Sequence, residues 1–196
     1  MSAIPVSPLA EPWHLPSRGR VAMLSLITGE SAIFTIFVVA YIYYIGKSLS
    51  GPLPGQVLEI PFFNTVCLLG SSVTIWLAER EIDRGKMRAF AAWWAVTIAL
   101  GLVFIAGTAM EWHKLIEVDG LTIRTNLFGT TFYSLVGLHA THVVIGLLGL
   151  LLILIFTLTG HVTQKHSERI QVFALYWHFV DAVWVVVFTV VYIVGR

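Results

Sequence analysis

The sequence predicts an all-α membrane protein, a bundle of five transmembrane helices. Hydrophobic residues make up 57% of the 196 residues and charged residues only 12%, about half the ~25% of a typical soluble domain. All twelve lysines and arginines lie outside five apolar segments, at residues 21–45, 60–78, 89–110, 127–160 and 170–194. Each segment reaches or approaches the ~20 residues that cross ~30 Å of hydrocarbon. Because backbone groups in lipid must bond within their own segment, five such segments indicate helices rather than a barrel.

The composition and the N-terminal segment further narrow the class of protein. A net charge of +1, with no basic stripe or aromatic stacking platform, gives no indication of a nucleic-acid partner. The single cysteine, Cys67, lies inside the second apolar segment and is interpreted as a packing residue. Residues 1–20 contain four prolines and no apolar signal core, so we expect an extended cytoplasmic arm and a first helix that directs its own insertion.

The distribution of basic residues predicts the orientation. Eight lysines and arginines lie in the N-terminal arm and in the second and fourth connections, against four on the opposite side. The positive-inside rule therefore places the N-terminus in the cytoplasm and, after five crossings, the C-terminus outside.

The first two segments contain one acid and one run of small residues. Glu30 lies nine residues beyond Val21, ~14 Å along a helix. An acid at that depth is costly, so Glu30 is expected to have a partner or a function. In the second segment, Gly70, Ser71 and Ser72 form a small face that lets another helix approach closely.

The third segment ends at an acid, and the fourth contains two histidines. Glu111 stands next to an interfacial tryptophan and is expected at headgroup level. In the fourth segment, His139, His142, Gly146 and Gly149 share one helical face at steps of three, four and three residues. Histidines beside glycines on one face are typical of a tightly packed polar contact between helices.

The fifth segment contains His178 and Asp181, one helical turn apart in an apolar run. A carboxylate at membrane depth costs at least ~2.5–3.5 kcal/mol, so we expect Asp181 to have a partner inside protein.

Three interpretations fit the intramembrane polar residues. A hydrogen-bond network is favoured, because a neutral histidine has one donor and one acceptor and satisfies a buried carboxyl group well. A metal or haem held between helices stays open, although no Cys pair or Glu-x-x-His motif supports it. An ion path is the third interpretation. The residues concerned are Glu30, His139, His142, His178 and Asp181.

The motifs on all five segments resemble a known family. The nine residues from Tyr176 to Trp184, YWHFVDAVW, resemble the last helix of subunit III of the haem–copper terminal oxidases. Residues 61–72, 129–133 and 137–146 are similar to the same subunit, with Ala140 where that family usually has glycine. Glu30 matches the family's carbodiimide-reactive acid. The resemblance covers residues 21–195.

This resemblance implies a non-catalytic subunit III, in a short five-helix form, of a bacterial terminal oxidase of the cytochrome c oxidase type. It implies catalytic subunit I and subunit II as partners, haem and copper in those partners rather than in this chain, bound phospholipid, and the cell membrane as location. The complex would reduce oxygen and translocate protons. A quinol oxidase subunit III, a nitric-oxide-reductase accessory subunit and a haem-binding redox protein are the alternatives. Contacts with another subunit or at an interface are expected for Glu111, Trp177 and Trp184.

Overall fold

Five long helices form most of the computed structural model, which describes residues 17–48 and 50–195. Within those ranges all five are long and apolar enough to cross a membrane, and no strand is present. The predicted all-α fold with five spans is therefore confirmed. The helices are α1 (Arg18–Tyr44), α2 (Phe62–Asp83), α3 (Met87–Glu117), α4 (Leu127–Leu158) and α5 (Ser167–Phe188), which continues as a π-helix over Thr189–Val194.

Several helices extend beyond the apolar segments. The first begins at Arg18 rather than residue 21, where the Ser17 side chain accepts a hydrogen bond from the Arg20 amide at 3.4 Å. Residues 18–20 are thus helical rather than part of an extended arm, and residues 1–16 lie outside the described residues. The second continues to Asp83 and the third to Glu117. Apolarity marks the hydrocarbon layer, whereas a helix with polar ends continues into the headgroup region.

Short connections keep neighbouring helices antiparallel. Between α2 and α3, Gly85 adopts a φ of 72°, a left-handed conformation that glycine allows without strain. Before α4, the Asn126 side chain accepts from the Gly129 amide at 2.8 Å and caps the helix. The Asn126 amide group also donates to the carbonyls of Ser50 and Pro52, so the loop after α1 is tied to the start of α4.

The last helix lies at the centre of the bundle. It packs against α1, α2 and α4, and its apolar span is the most buried of the five. The first helix is the most peripheral, with only Phe34 and Tyr41 fully buried among its described residues, and makes little contact with α2. Residues of α5 are therefore positioned to interact with nearly every other helix.

Glycines in α3 and α4 allow α5 to come close. A Cβ atom at Gly146 would lie 2.8 Å from the ring of Trp177, and one at Gly149 would lie 2.2 Å from that of Phe173. On the α3 side, a Cβ atom at Gly101 would lie 3.1 Å from the Trp177 ring. The close helix packing predicted at Gly146 and Gly149 is therefore present, but the glycines meet aromatic rings of α5 rather than polar groups.

Candidate functional site: two polar clusters between the helices

The first cluster joins α1 to α4 through Glu30 and His142. The Glu30 Oε2 atom lies 3.0 Å from His142 Nε2, and His142 Nδ1 lies 2.8 Å from the Leu138 carbonyl oxygen. Since a carbonyl only accepts, Nδ1 must donate to it. The Nε2 atom then either accepts from a protonated Glu30 or donates as part of an imidazolium, so one proton is shared by the pair in both cases.

Aromatic side chains hold this pair in place. The Phe34 ring lies on the His142 ring with centroids 5.0 Å apart, and the Tyr176 hydroxyl donates to the His142 carbonyl at 3.2 Å. The contact therefore links α1, α4 and α5. The partner that the sequence required for Glu30 is found on α4 of the same chain.

The second cluster joins α2 to α5 through Ser72, His178 and Asp181. The Ser72 Oγ atom lies 3.1 Å from His178 Nδ1, and the Ser72 hydroxyl also donates to Asp181 Oδ2. Asp181 is only 2% exposed, and its Oδ1 atom has no hydrogen-bond partner among the described residues. The His178 Nε2 atom faces Glu79 Oε2 across 3.9 Å.

Sequence reasoning missed two members of this second cluster. Ser72 belongs to the small-residue run that predicts a packing face, and Glu79 lies just beyond the second apolar segment, which ends at residue 78. The available signal was helical spacing: Glu79 follows Ser72 by seven residues, two turns along one face of α2. That face meets His178 and Asp181.

His139 does not join either cluster through a hydrogen bond. Its side chain is buried, and neither ring nitrogen has a partner within residues 17–48 and 50–195. Instead, the imidazole stacks on the Trp184 ring at 5.0 Å and meets the edge of Phe104 at 5.9 Å. The expected network thus consists of two separate hydrogen-bonded clusters and one histidine in an aromatic environment.

Trp177 and Trp184 lie inside the bundle, so the expectation that they contact another subunit is wrong. Their exposures are 0% and 1%. The Trp177 indole N–H donates to Ser71 Oγ at 2.9 Å, and that of Trp184 donates to Thr65 Oγ1 at 3.2 Å. Both indoles therefore connect α5 to α2. The contact predicted for the small-residue face of α2 is also confirmed by the Ser71 bond.

Glu111 is half-buried between the helices. Its Oε1 atom accepts a hydrogen bond from the Tyr192 hydroxyl at 2.9 Å, which ties α3 to the π-helical end of α5. A cavity of about 280 Å³ opens beside Glu111 and also exposes Asn64 and the ion pair of Lys114 with Glu59. The expected subunit contact at Glu111 stays a prediction.

The described residues contain no group of three or more His, Cys, Asp or Glu side chains arranged to hold a metal ion. In the first cluster, Glu30 and His142 bind each other. In the second, His178 and Asp181 both bond the Ser72 hydroxyl. This arrangement, with five membrane-length helices linked by internal acid and histidine contacts, is typical of a helical membrane subunit whose polar residues connect its own helices.

Comparison with known proteins gives the family. The model of the family "Cytochrome c oxidase subunit III" matches residues 20–196. The chain is 35% identical over 169 residues to cytochrome c oxidase subunit 3 of Alkalihalophilus pseudofirmus, covering 85% of this chain and 82% of the relative. It is 34% identical over 168 residues to cytochrome bo(3) ubiquinol oxidase subunit 3 of Pseudomonas aeruginosa, covering 85% and 80%. A subunit 3 of Corynebacterium diphtheriae cytochrome c oxidase is 30% identical over 203 residues, covering 98% of each.

This chain belongs to the cytochrome c oxidase subunit III family. It is subunit III of a haem–copper oxygen reductase, a multi-pass bacterial membrane protein that works within an enzyme complex beside partner oxidase subunits. Members of this family do not carry the redox centres of the complex. The resemblance inferred from the sequence motifs is confirmed.

Proposed function

We propose that this chain binds catalytic subunit I together with subunit II and stabilises the catalytic subunit while the complex reduces oxygen and translocates protons. The observation that supports the proposal is that both intramembrane acids have their hydrogen-bond partners within this chain. Glu30 bonds His142, and Asp181 bonds Ser72, which in turn contacts His178. Acids held within their own chain connect helices, which is the role of a scaffold, and haem and copper are proposed to lie in the partner subunits.

The proposed orientation rests on the ends of the helices. The start of α1, the α2–α3 connection and the α4–α5 connection lie at one end of an antiparallel bundle, and eight of the twelve basic residues belong to that end. The positive-inside rule then places that end in the cytoplasm and the C-terminus outside the bacterial cell membrane.

We propose cytochrome c as the electron donor of the complex. Two of the relatives described above are named as subunits of a cytochrome c oxidase. A quinol donor is the second candidate, which the 34% identity to a ubiquinol oxidase subunit favours.

Bound phospholipid is proposed for the groove between α1 and α5. This groove has a volume of about 210 Å³ and is lined by Phe34, Thr35, Val38, Val183 and others. Its apolar lining and its position beside the peripheral helix suit an acyl chain.

Co-purification tests the proposed assembly. The tagged chain, solubilised in a mild detergent, should bring the haem–copper catalytic subunit with it in about equal amount. An unrelated tagged five-helix membrane protein is the control for detergent carry-over. Recovery of this chain alone, from cells that contain an active oxidase, would contradict the proposal.

The scaffold role predicts a shorter working life for variants of the two clusters. Glu30→Ala removes the partner of His142, and an unsatisfied buried polar group costs about 1–3 kcal/mol. Asp181→Asn replaces the carboxylate that accepts from Ser72. Both variants should assemble and should start at the wild-type rate. The number of turnovers that each completes before half of its activity is lost should be several-fold lower than in the wild type.

Thr28→Val is the matched control for this experiment, because Thr28 is exposed and, within the described part of the chain, its hydroxyl bonds only the Leu24 carbonyl of its own helix. It should keep the wild-type lifetime. Wild-type lifetimes in both cluster variants would reject the scaffold role and leave these side chains as packing residues.

A further inference from the structure

An open cavity lies at the end of the bundle where α1 begins. Its volume is about 360 Å³, and it is lined by Arg20, Leu24, Glu79, Gln171, Leu175 and His178. Four of these six side chains are polar. A cavity of this volume, with four polar side chains in its wall, has room for several water molecules. It reaches the face of α5 because α1 and α2 make little contact with each other.

Hydrogen bonds lead from the wall of this cavity to a buried carboxyl group. His178 forms part of the wall, and its Nδ1 atom lies 3.1 Å from Ser72 Oγ. The Ser72 hydroxyl donates to Asp181 Oδ2. A serine hydroxyl both donates and accepts, and so does a neutral imidazole, so each link can pass a proton onward.

We propose that His178 and Ser72 connect this cavity with Asp181, so that the buried carboxyl group exchanges its proton with the aqueous phase at the Arg20 end of the bundle. An incoming proton binds His178 Nε2, the Nδ1 proton passes to Ser72 Oγ, and the original Ser72 hydroxyl proton passes to the Asp181 carboxylate. One proton enters at His178 and one arrives at Asp181, and no electron is transferred. His178 is left as its other tautomer, with the proton on Nε2.

The charged groups around the relay suit proton entry from water. Glu79 Oε2 lies 3.9 Å from His178 Nε2, too far for a direct hydrogen bond, and a cavity water can bridge that gap. Arg20 contributes a positive charge from α1, and Gln171 is held by both oxygens of Asp83 at 3.1 Å. Next to the inner end of the relay, α2 presents the hydroxyls of Ser71 and Ser72.

The first cluster provides a contrast. His142 Nδ1 donates to the carbonyl oxygen of Leu138 in its own helix, which cannot pass a proton onward. The hydrogen bonds of His142 therefore lead no further than Glu30, whereas His178 has the cavity on one side and the Ser72 hydroxyl on the other. A change at His142 is accordingly the matched control for a change at His178.

Infrared spectroscopy of the intact complex tests the relay. The carboxyl C=O band of Asp181 is the band absent from Asp181→Asn, and its shift after transfer from H₂O to D₂O reports exchange. In the wild type it should shift as fast as the solvent is mixed. Ser72→Ala and His178→Asn should each slow the shift by at least about tenfold, since general acid–base groups contribute ~10²–10⁴-fold to proton transfer. His142→Gln should exchange like the wild type.

Each result decides for or against the relay. A wild-type band that stays unshifted for hours, or the absence of any Asp181 C=O band over the pH range in which the complex is stable, would overturn it. So would exchange at the wild-type rate in Ser72→Ala or, if that variant fails to assemble, in His178→Asn. These outcomes are independent of co-purification with the catalytic subunit.

Thiol labelling tests the cavity separately. Leu175→Cys should react with a small membrane-impermeant thiol reagent added on the Arg20 side of oriented vesicles, and not from the other side. The native Cys67 is buried, so the unmodified chain gives the background. A Leu175→Cys variant that stays unreactive from the Arg20 side would show a dry cavity and would overturn the proposal.

Discussion

Replacing Trp177 by alanine is expected to destabilise the bundle by about 3–5 kcal/mol, the usual cost of a large-to-small change at a buried aromatic residue. Trp177 is fully buried, and its ring lies against Gly101 of α3 and Gly146 of α4. Its indole N–H donates to Ser71 of α2. One side chain of α5 therefore contacts three other helices, and its removal opens a cavity at the point where they meet.

The measurement is the thermal unfolding midpoint of the purified complex in detergent, together with the yield of assembled complex. Trp177→Ala should lower both. The matched control is Trp93→Ala, because Trp93 is 38% exposed on the outside of the bundle. It should leave the midpoint close to the wild-type value. Equal losses in the two variants would mean that Trp177 does not connect the helices as described.

The five-helix fold was predictable because lipid imposes a simple requirement on the chain. Segments without lysine or arginine, each close to membrane length, leave few alternatives to helices. The ends of the helices were less predictable. Polar residues such as Glu79 and Glu111 interrupt the apolar pattern, yet both lie within helices in the structure.

The sequence predicts that the buried acids of the candidate site have partners, because their chemistry requires it. It does not predict which residues are the partners, because helix packing determines that. An acid at membrane depth must be bonded, so partners for Glu30 and Asp181 followed from the sequence. The choice of Ser72 as partner of Asp181 did not, because a serine within a run of small residues equally indicates close helix packing.

His139 shows why a shared helical face is not enough to predict a shared role. His139 and His142 are three residues apart on α4, and helical spacing places them on the same side. One turn along the axis, however, the neighbours change: His142 meets Glu30, whereas His139 meets Trp184 and an aromatic ring of α3.

The burial of Trp177 and Trp184 depends on how α5 packs. Both tryptophans share a helical face with Asp181, and an acid at membrane depth indicates that this face meets protein. The sequence does not indicate whether that protein is this chain or another subunit. The central position of α5, in contact with α1, α2 and α4, makes both indoles internal.

Adding a single methyl group at Gly146 should also destabilise the bundle, by about 1–3 kcal/mol, through overpacking. The new Cβ atom would lie 2.8 Å from two ring atoms of Trp177 and 3.4 Å from Tyr176. Trp177 has no room to withdraw, because Gly101 lies on another side of its ring and Ser71 binds its N–H. Gly146→Ala is therefore expected to push α4 away from α5 and to lower the unfolding midpoint of the complex.

Gly29→Ala is the matched control, since a Cβ atom there has no neighbour within 4 Å. Alanine is favoured over glycine inside a helix by roughly 1 kcal/mol, so this control should be neutral or slightly stabilising. If the crowding at Trp177 is the cause, the double variant Gly146→Ala with Trp177→Phe should be less destabilised than the sum of the two single changes, because residues in contact are not additive. A simple sum, or a Gly146→Ala complex as stable as the Gly29→Ala complex, would contradict the close α4–α5 contact.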